Sequence, residues 1–152
     1  MPLGVTTCNQ KIFDAFLSDD KLKTLYHGHS YTANPVACAA ALASLDILLS
    51  PETLPNIQRI TAKHQQFALK LLGHPKLKAV RQTGTIIAME WETGDDTSYL
   101  SELRNKLYLY FLEKGIILRP LGNIIYILPP YVISDDDLEY IYQTILTALE
   151  EI

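Results

Sequence analysis

Apolar side chains near the C-terminus recur at helical spacing. Leu138, Ile141, Tyr142, Ile145, Leu146 and Leu149 fall on one stripe, with Ser134 and Asp137 spaced as a capping box ahead of them. Three aspartates at 135–137 suit the positive end of that helix. The same spacing in Leu100, Leu103, Leu107, Tyr110 and Phe111 predicts a helix that stops at Lys114-Gly115. Further back, Ile57, Ile60, Ala68, Leu69, Leu71 and Leu72 mark another, punctuated by Pro51 and Pro55 before it and ended by Gly73-His74-Pro75. Asn34 is a good N-cap and Pro35 suits a first helical position, so a helix rich in small residues should run through Ala39–Ala43.

Strand-like runs lie between these helices. Leu77–Arg81 and Thr85–Trp91 flank Gly84, where a bend or bulge is expected; Ile116–Leu118 and Ile124–Leu128 flank the turn Pro120–Asn123. Pro129-Pro130 forbids further ladder pairing, and residues Gly94–Thr97 read as a polar turn. At the N-terminus a strand over Leu3–Thr7, a short helix over Gln10–Phe16 and a polar loop cannot enclose a core by themselves. The pattern predicts an α+β fold, a small antiparallel or mixed sheet covered by helices on one side.

Composition narrows the function classes. The 152 residues are 48% hydrophobic and 20% charged with a net charge of −4, enough for one core and without a basic face for nucleic acid. The longest nearly apolar run, Val36–Leu49, is interrupted by Ser44 and Asp46 and is too short for a bilayer, and no secretory signal is visible. A cytoplasmic protein without membrane partners is expected. Cys8 and Cys38 share no metal-ligand spacing with the histidines, and His27 and His29 lack an evident third ligand, so no metal site is expected.

Two blocks carry chemistry. The segment Tyr26-His27-Gly28-His29-Ser30-Tyr31-Thr32-Ala33-Asn34-Pro35 resembles a signature of the class III pyridoxal-phosphate (PLP) aminotransferases. The later block, Leu118 to Tyr131, with its Arg119-Pro120-Leu121-Gly122-Asn123 turn and Tyr126, resembles the biotin-pathway branch of that family. The resemblance implies the C-terminal small domain of a fold-type I PLP transferase over 33–152, preceded by a remnant of the large domain over 1–32. The opening Pro2-Leu3-Gly4-Val5-Thr6-Thr7 resembles a string that in the family follows the Schiff-base lysine and a Thr-Gly-Gly turn. Neither is present here, so the chain is expected to hold no catalytic residue and to be inactive alone.

A helix N-terminus with a nearby hydroxyl is a natural phosphate receptor, and the loop at His29-Ser30 before the Asn34 cap could form one. The resemblance implies that Ser30, with His29 beside it, reaches the phosphate of PLP held by a partner subunit, hence a homodimer. Turn and cap duty is the plainer reading of these residues. Arg119, before a proline at a strand end, can offer a guanidinium fork to a carboxylate, and the resemblance assigns it the carboxylate of 7-keto-8-aminopelargonate. A surface ion pair with an acidic residue is its plainer reading. The resemblance also places Tyr126 and Leu121 in the substrate pocket, although an aromatic residue is common at the Leu121 position; a sheet-face tyrosine is the alternative for Tyr126. S-adenosylmethionine or another amino donor completes the implied reaction. Two other functions compete: a class III aminotransferase for ornithine, acetylornithine or 4-aminobutyrate, and a stand-alone, non-catalytic dimerisation module.

Overall fold

A computed structural model describes residues 1–94 and 102–152. The turn expected at Gly94–Thr97 lies mostly outside the described residues, as does Leu100 of the expected helix. The chain divides into two compact units, Met1–Ser50 and Pro51–Ile152.

In the first unit α1 spans Gln10–Phe16, a single 3-10 turn spans Lys21–Lys23, and α2 spans Pro35–Leu48. Asn9 caps α1 by accepting from the Ile12 N–H. Met1 and Leu3 lie along the small-residue face of α2 formed by Ala40, Ala41, Ser44, Leu45 and Leu48. The strand expected over Leu3–Thr7 does not form. A strand needs a neighbour to receive its alternating N–H and C=O groups, and no described residue of this unit offers one.

The second unit holds the sheet. Helix α3 (Thr53–Leu71) leads into β1 (Leu77–Thr83) and β2 (Ile86–Trp91), then α4 (Glu102–Glu113), β3 (Ile124–Ile127) and α5 (Asp135–Glu151). The three strands form an antiparallel meander in the order β1-β2-β3. Gly84 at φ 53° takes the left-handed position in the tight β1–β2 turn, where a bend is expected, and a separate irregularity in the ladder falls between Leu77 and Ala79. Helix α3 starts before Pro55, because first-turn N–H groups have no intrahelical acceptor and a proline there loses nothing. The strand expected over Ile116–Leu118 is also absent. Only Leu121 bridges Ile124, and Pro120, buried and without an N–H, takes the chain out of the ladder.

One face of the sheet, carrying Ile87, Met89, Trp91, Ile125 and Ile127, joins a single core with Ile60, Phe67 and Leu71 of α3, Leu107 and Phe111 of α4, and Leu138, Ile145 and Leu149 of α5. The α5 cap forms as its sequence predicts, with the Ser134 Oγ accepting from the Asp137 N–H at 3.0 Å. Arg59 and Lys63 of α3 pair with Asp135, and Arg59 also donates to the Ile133 carbonyl at 2.6 Å, tying α3 to the start of α5.

One polar group sits inside this core. His64 is fully buried, its Nε2 is 3.1 Å from the Thr85 carbonyl and its Nδ1 is 2.6 Å from the Tyr142 hydroxyl. A carbonyl only accepts, so Nε2 carries the proton and Nδ1 accepts from Tyr142, a pairing that suits the neutral ring. Burial pushes the His64 pKa below its ordinary 6.5, the Thr85 hydrogen bond opposing it weakly, and burial raises the Tyr142 hydroxyl. Protons therefore bind the unfolded imidazole more readily than the folded one. Stability should be fully present above the ordinary imidazole value and fall as pH drops below it, by at most about 1.4 kcal/mol per pH unit from this one group. Urea unfolding between pH 7.5 and 5 checks this, and His64→Leu should flatten the slope over that range; an unchanged slope would remove His64 as its source.

Candidate active site

Strand register decides which residues of the second block stand together. Tyr126 pairs with Ala88 and Ile124 with Glu90, on the face opposite the buried Ile125 and Ile127. Leu121 bridges Ile124 through two hydrogen bonds, its N–H donating at 2.8 Å and its carbonyl accepting at 3.1 Å, so its side chain shares the Ile124 and Tyr126 face. Burial alternates through the preceding segment, with Leu118 and Pro120 inside and Arg119 and Leu121 outside. Leu121 and Tyr126 thus share the open side of the sheet, where Tyr126 is half-buried and Leu121 is 44% exposed, and Arg119 stands exposed two residues before Leu121.

The same face carries a neutralised carboxylate. Glu90, with a side chain 14% exposed, receives Lys78 and Arg81 at 3.3 Å each. Arg119, by contrast, has no ion-pair or hydrogen-bond partner among the described residues, which leaves all five of its N–H donors available. The surface ion pair that spacing alone allows for it is not formed with any described residue.

The first block is built differently from expectation. Asn34 accepts from the Val36 and Ala37 N–H groups at 2.9 and 3.4 Å, Cys38 donates to the Asn34 carbonyl at 3.0 Å, and Pro35 has no N–H. The N-terminus of α2 is therefore satisfied from within and presents no free amide to an anion. What remains lies one turn earlier. Tyr31 donates to the His29 Nδ1 at 3.2 Å, so a neutral His29 carries its proton on Nε2, and Thr32 donates to the His29 carbonyl at 3.0 Å. Ala33 closes the turn at φ 53°, a strained position for a residue with a Cβ. Ser30 stands exposed at the tip of this turn with its hydroxyl unengaged among the described residues. His29 and Ser30 thus offer an imidazole N–H and an O–H, a donor set that suits phosphate oxygens, although the helix end itself does not contribute.

Comparison with known proteins now decides the family. The class-III aminotransferase family profile matches residues 1–149. The chain belongs to the class III aminotransferases. An adenosylmethionine-8-amino-7-oxononanoate aminotransferase from Synechococcus elongatus is 40% identical over 152 residues, covering 100% of this chain and 35% of its own length. The crystal structure of the enzyme of that name from Methanocaldococcus jannaschii superposes with a TM-score of 0.81 at 32% identity, over 93% of this chain and 33% of the other. An amine transaminase from an uncultivated Pseudomonas species, solved in its PLP-bound form, gives a TM-score of 0.78 at 25% identity, over 93% of this chain and 33% of that one. The chain therefore spans about a third of the length of the class III aminotransferases it matches.

Sequence reasoning did not single out Asn123, which the structure buries beside the end of β2. Its buried amide and its contact with the end of β2 are set by tertiary structure, and the only signal in the chain is an asparagine inside the Arg119–Tyr126 string. Among the described residues, no group of three or more His, Cys, Asp or Glu could hold a metal ion, and no single helix is long and apolar enough to cross a membrane.

Proposed function

We propose that this chain is the C-terminal portion of a cytoplasmic, PLP-dependent aminotransferase of biotin synthesis, one that aminates 7-keto-8-aminopelargonate (8-amino-7-oxononanoate) to 7,8-diaminopelargonate. In this reading residues 33–152 form the small domain and residues 1–32 belong to the large one. The observation that carries it is Arg119. Its guanidinium lacks an acidic partner among the described residues and stands exposed two residues before Leu121, which shares a sheet face with Tyr126, in a chain similar over its whole length to enzymes named for an amino-oxo acid.

Each residue then has a task. Arg119 holds the substrate carboxylate with a two-pronged charge-assisted hydrogen bond, which fixes the far end of the acceptor and so the distance of its ketone from the reacting centre. Leu121 and Tyr126 wall the aliphatic tail and exclude water. The pairing of Glu90 with Lys78 and Arg81 keeps a bare carboxylate off the face that must receive an anion. His29 and Ser30 donate to the cofactor phosphate of a partner subunit in a homodimer. PLP, when bound, supplies the electron sink for moving the amino group from S-adenosylmethionine or another amino donor. The lysine that carries the cofactor and moves the proton belongs to the rest of the enzyme.

Assays of the longer enzyme and of the 152-residue chain side by side test the proposal. The longer enzyme should aminate 7-keto-8-aminopelargonate in preference to the keto partners of ornithine, acetylornithine and 4-aminobutyrate. The chain alone should show no turnover and no PLP–lysine adduct after borohydride reduction. Preference for one of the other acceptors would move the chain to another branch of the family, and turnover by the chain alone would overturn the assignment of the lysine.

A further inference from the structure

Asn123 is 3% exposed, and its side-chain Nδ2 donates to the Trp91 carbonyl at 2.7 Å while its backbone carbonyl accepts from the Trp91 N–H at 2.8 Å. Turns often use asparagine because it tolerates a positive φ, but here Gly122 takes that position at φ 61° and Asn123 does not. The backbone therefore does not require an asparagine; the buried amide is what the site uses.

That amide joins two substrate-facing residues to one reference. Trp91 ends β2, and Tyr126 is held against Ala88 of the same strand. Asn123 fastens the turn to Trp91, the Leu121–Ile124 bridge fastens Leu121 to β3, and Pro120 restricts Arg119 to extended backbone. The position of Arg119 relative to Tyr126 is thus set by a chain of rigid links with Asn123 at its centre. We propose that Asn123 is a positioning residue for substrate-carboxylate binding, acting through Arg119 by clamping the 119–123 turn to the end of β2. The inference rests on the reading that Arg119 binds the acceptor carboxylate.

The test is a double-mutant cycle in the complete holoenzyme, with KM for 7-keto-8-aminopelargonate and kcat as readouts. Asn123→Ala should raise KM about tenfold with Arg119 present and less than about twofold in the Arg119→Ala background, with kcat within about twofold throughout, because a residue acting through Arg119 has nothing to position once Arg119 is gone. Asn123→Leu, which keeps the buried volume and removes the donor, should behave the same and serves if the alanine variant fails to fold. Equal KM increases in both backgrounds would mean a merely structural role and would overturn the inference, as would no KM change in either Asn123 variant while Arg119→Ala raises KM. An unchanged KM in Arg119→Ala itself would instead overturn the functional reading, and the inference with it.

Discussion

Replacing Arg119 with alanine in the complete enzyme is expected to raise KM for 7-keto-8-aminopelargonate by roughly 10- to 150-fold, the equivalent of a charge-assisted hydrogen-bond pair worth about 1.5–3 kcal/mol. The carboxylate lies far from the bonds that change, so it is held alike in the ground and transition states, and kcat should stay within about twofold. Arg119→Lys keeps the charge and loses the planar fork, and should fall between the two. Because Arg119 is exposed and bonds to no described residue, the alanine variant should unfold at the wild-type denaturant concentration, which separates lost binding from lost fold. Steady-state kinetics with the keto acid as the varied substrate makes the measurement. A KM that does not move would remove Arg119 from the substrate site.

The second large effect concerns the core. Phe67→Ala should destabilise the chain by about 3–5 kcal/mol, since a fully buried aromatic ring leaves both its transfer free energy and a cavity behind. Phe67 is 1% exposed and stacks on Tyr142 with ring centroids 4.2 Å apart and planes 15° from parallel, so the substitution also removes one of the contacts that seat α5 on α3. The neighbouring His64–Tyr142 hydrogen bond depends on the same tyrosine, and its loosening would leave the Thr85 and His64 groups poorly paired. In urea the unfolding midpoint should drop by roughly 1–5 M, the range set by slopes of about 1–3 kcal/mol per molar. Phe67→Leu should recover more than half of the loss. A drop under about 1 kcal/mol in the alanine variant would mean that the helices close over the gap.

How much of this was legible in the chain differs by element. The α5 stripe and its Ser134–Asp137 cap, the Asn34–Pro35 start of α2 and the strand pair around Gly84 are local matters. In each, a period of apolar residues and a terminating or capping residue lie within a few positions of each other, so propensity and pattern agree. The expected strands at Leu3–Thr7 and Ile116–Leu118 failed because a strand exists only with a hydrogen-bonding partner, which short-range pattern cannot supply. Pro55 misled in the opposite direction, since proline breaks a helix in its interior and is harmless in its first turn.

The candidate site divides the same way. The sequence by itself determined the membership of the chain in its family, through motifs whose residue types and spacing are written in order along it, and it named Arg119, Leu121, Tyr126, His29 and Ser30. Only the tertiary structure decided that Leu121 and Tyr126 share one face, because that follows from the register of β3 on β2 and a one-residue slip would turn Tyr126 into the core. Only it showed that the α2 N-terminus is already filled by Asn34, that His64 is buried between the Thr85 carbonyl and the Tyr142 hydroxyl, and that Asn123 reaches Trp91 across 32 positions of chain. A hydrogen bond is made by proximity in space, and proximity between distant positions is what folding adds to the order of residues.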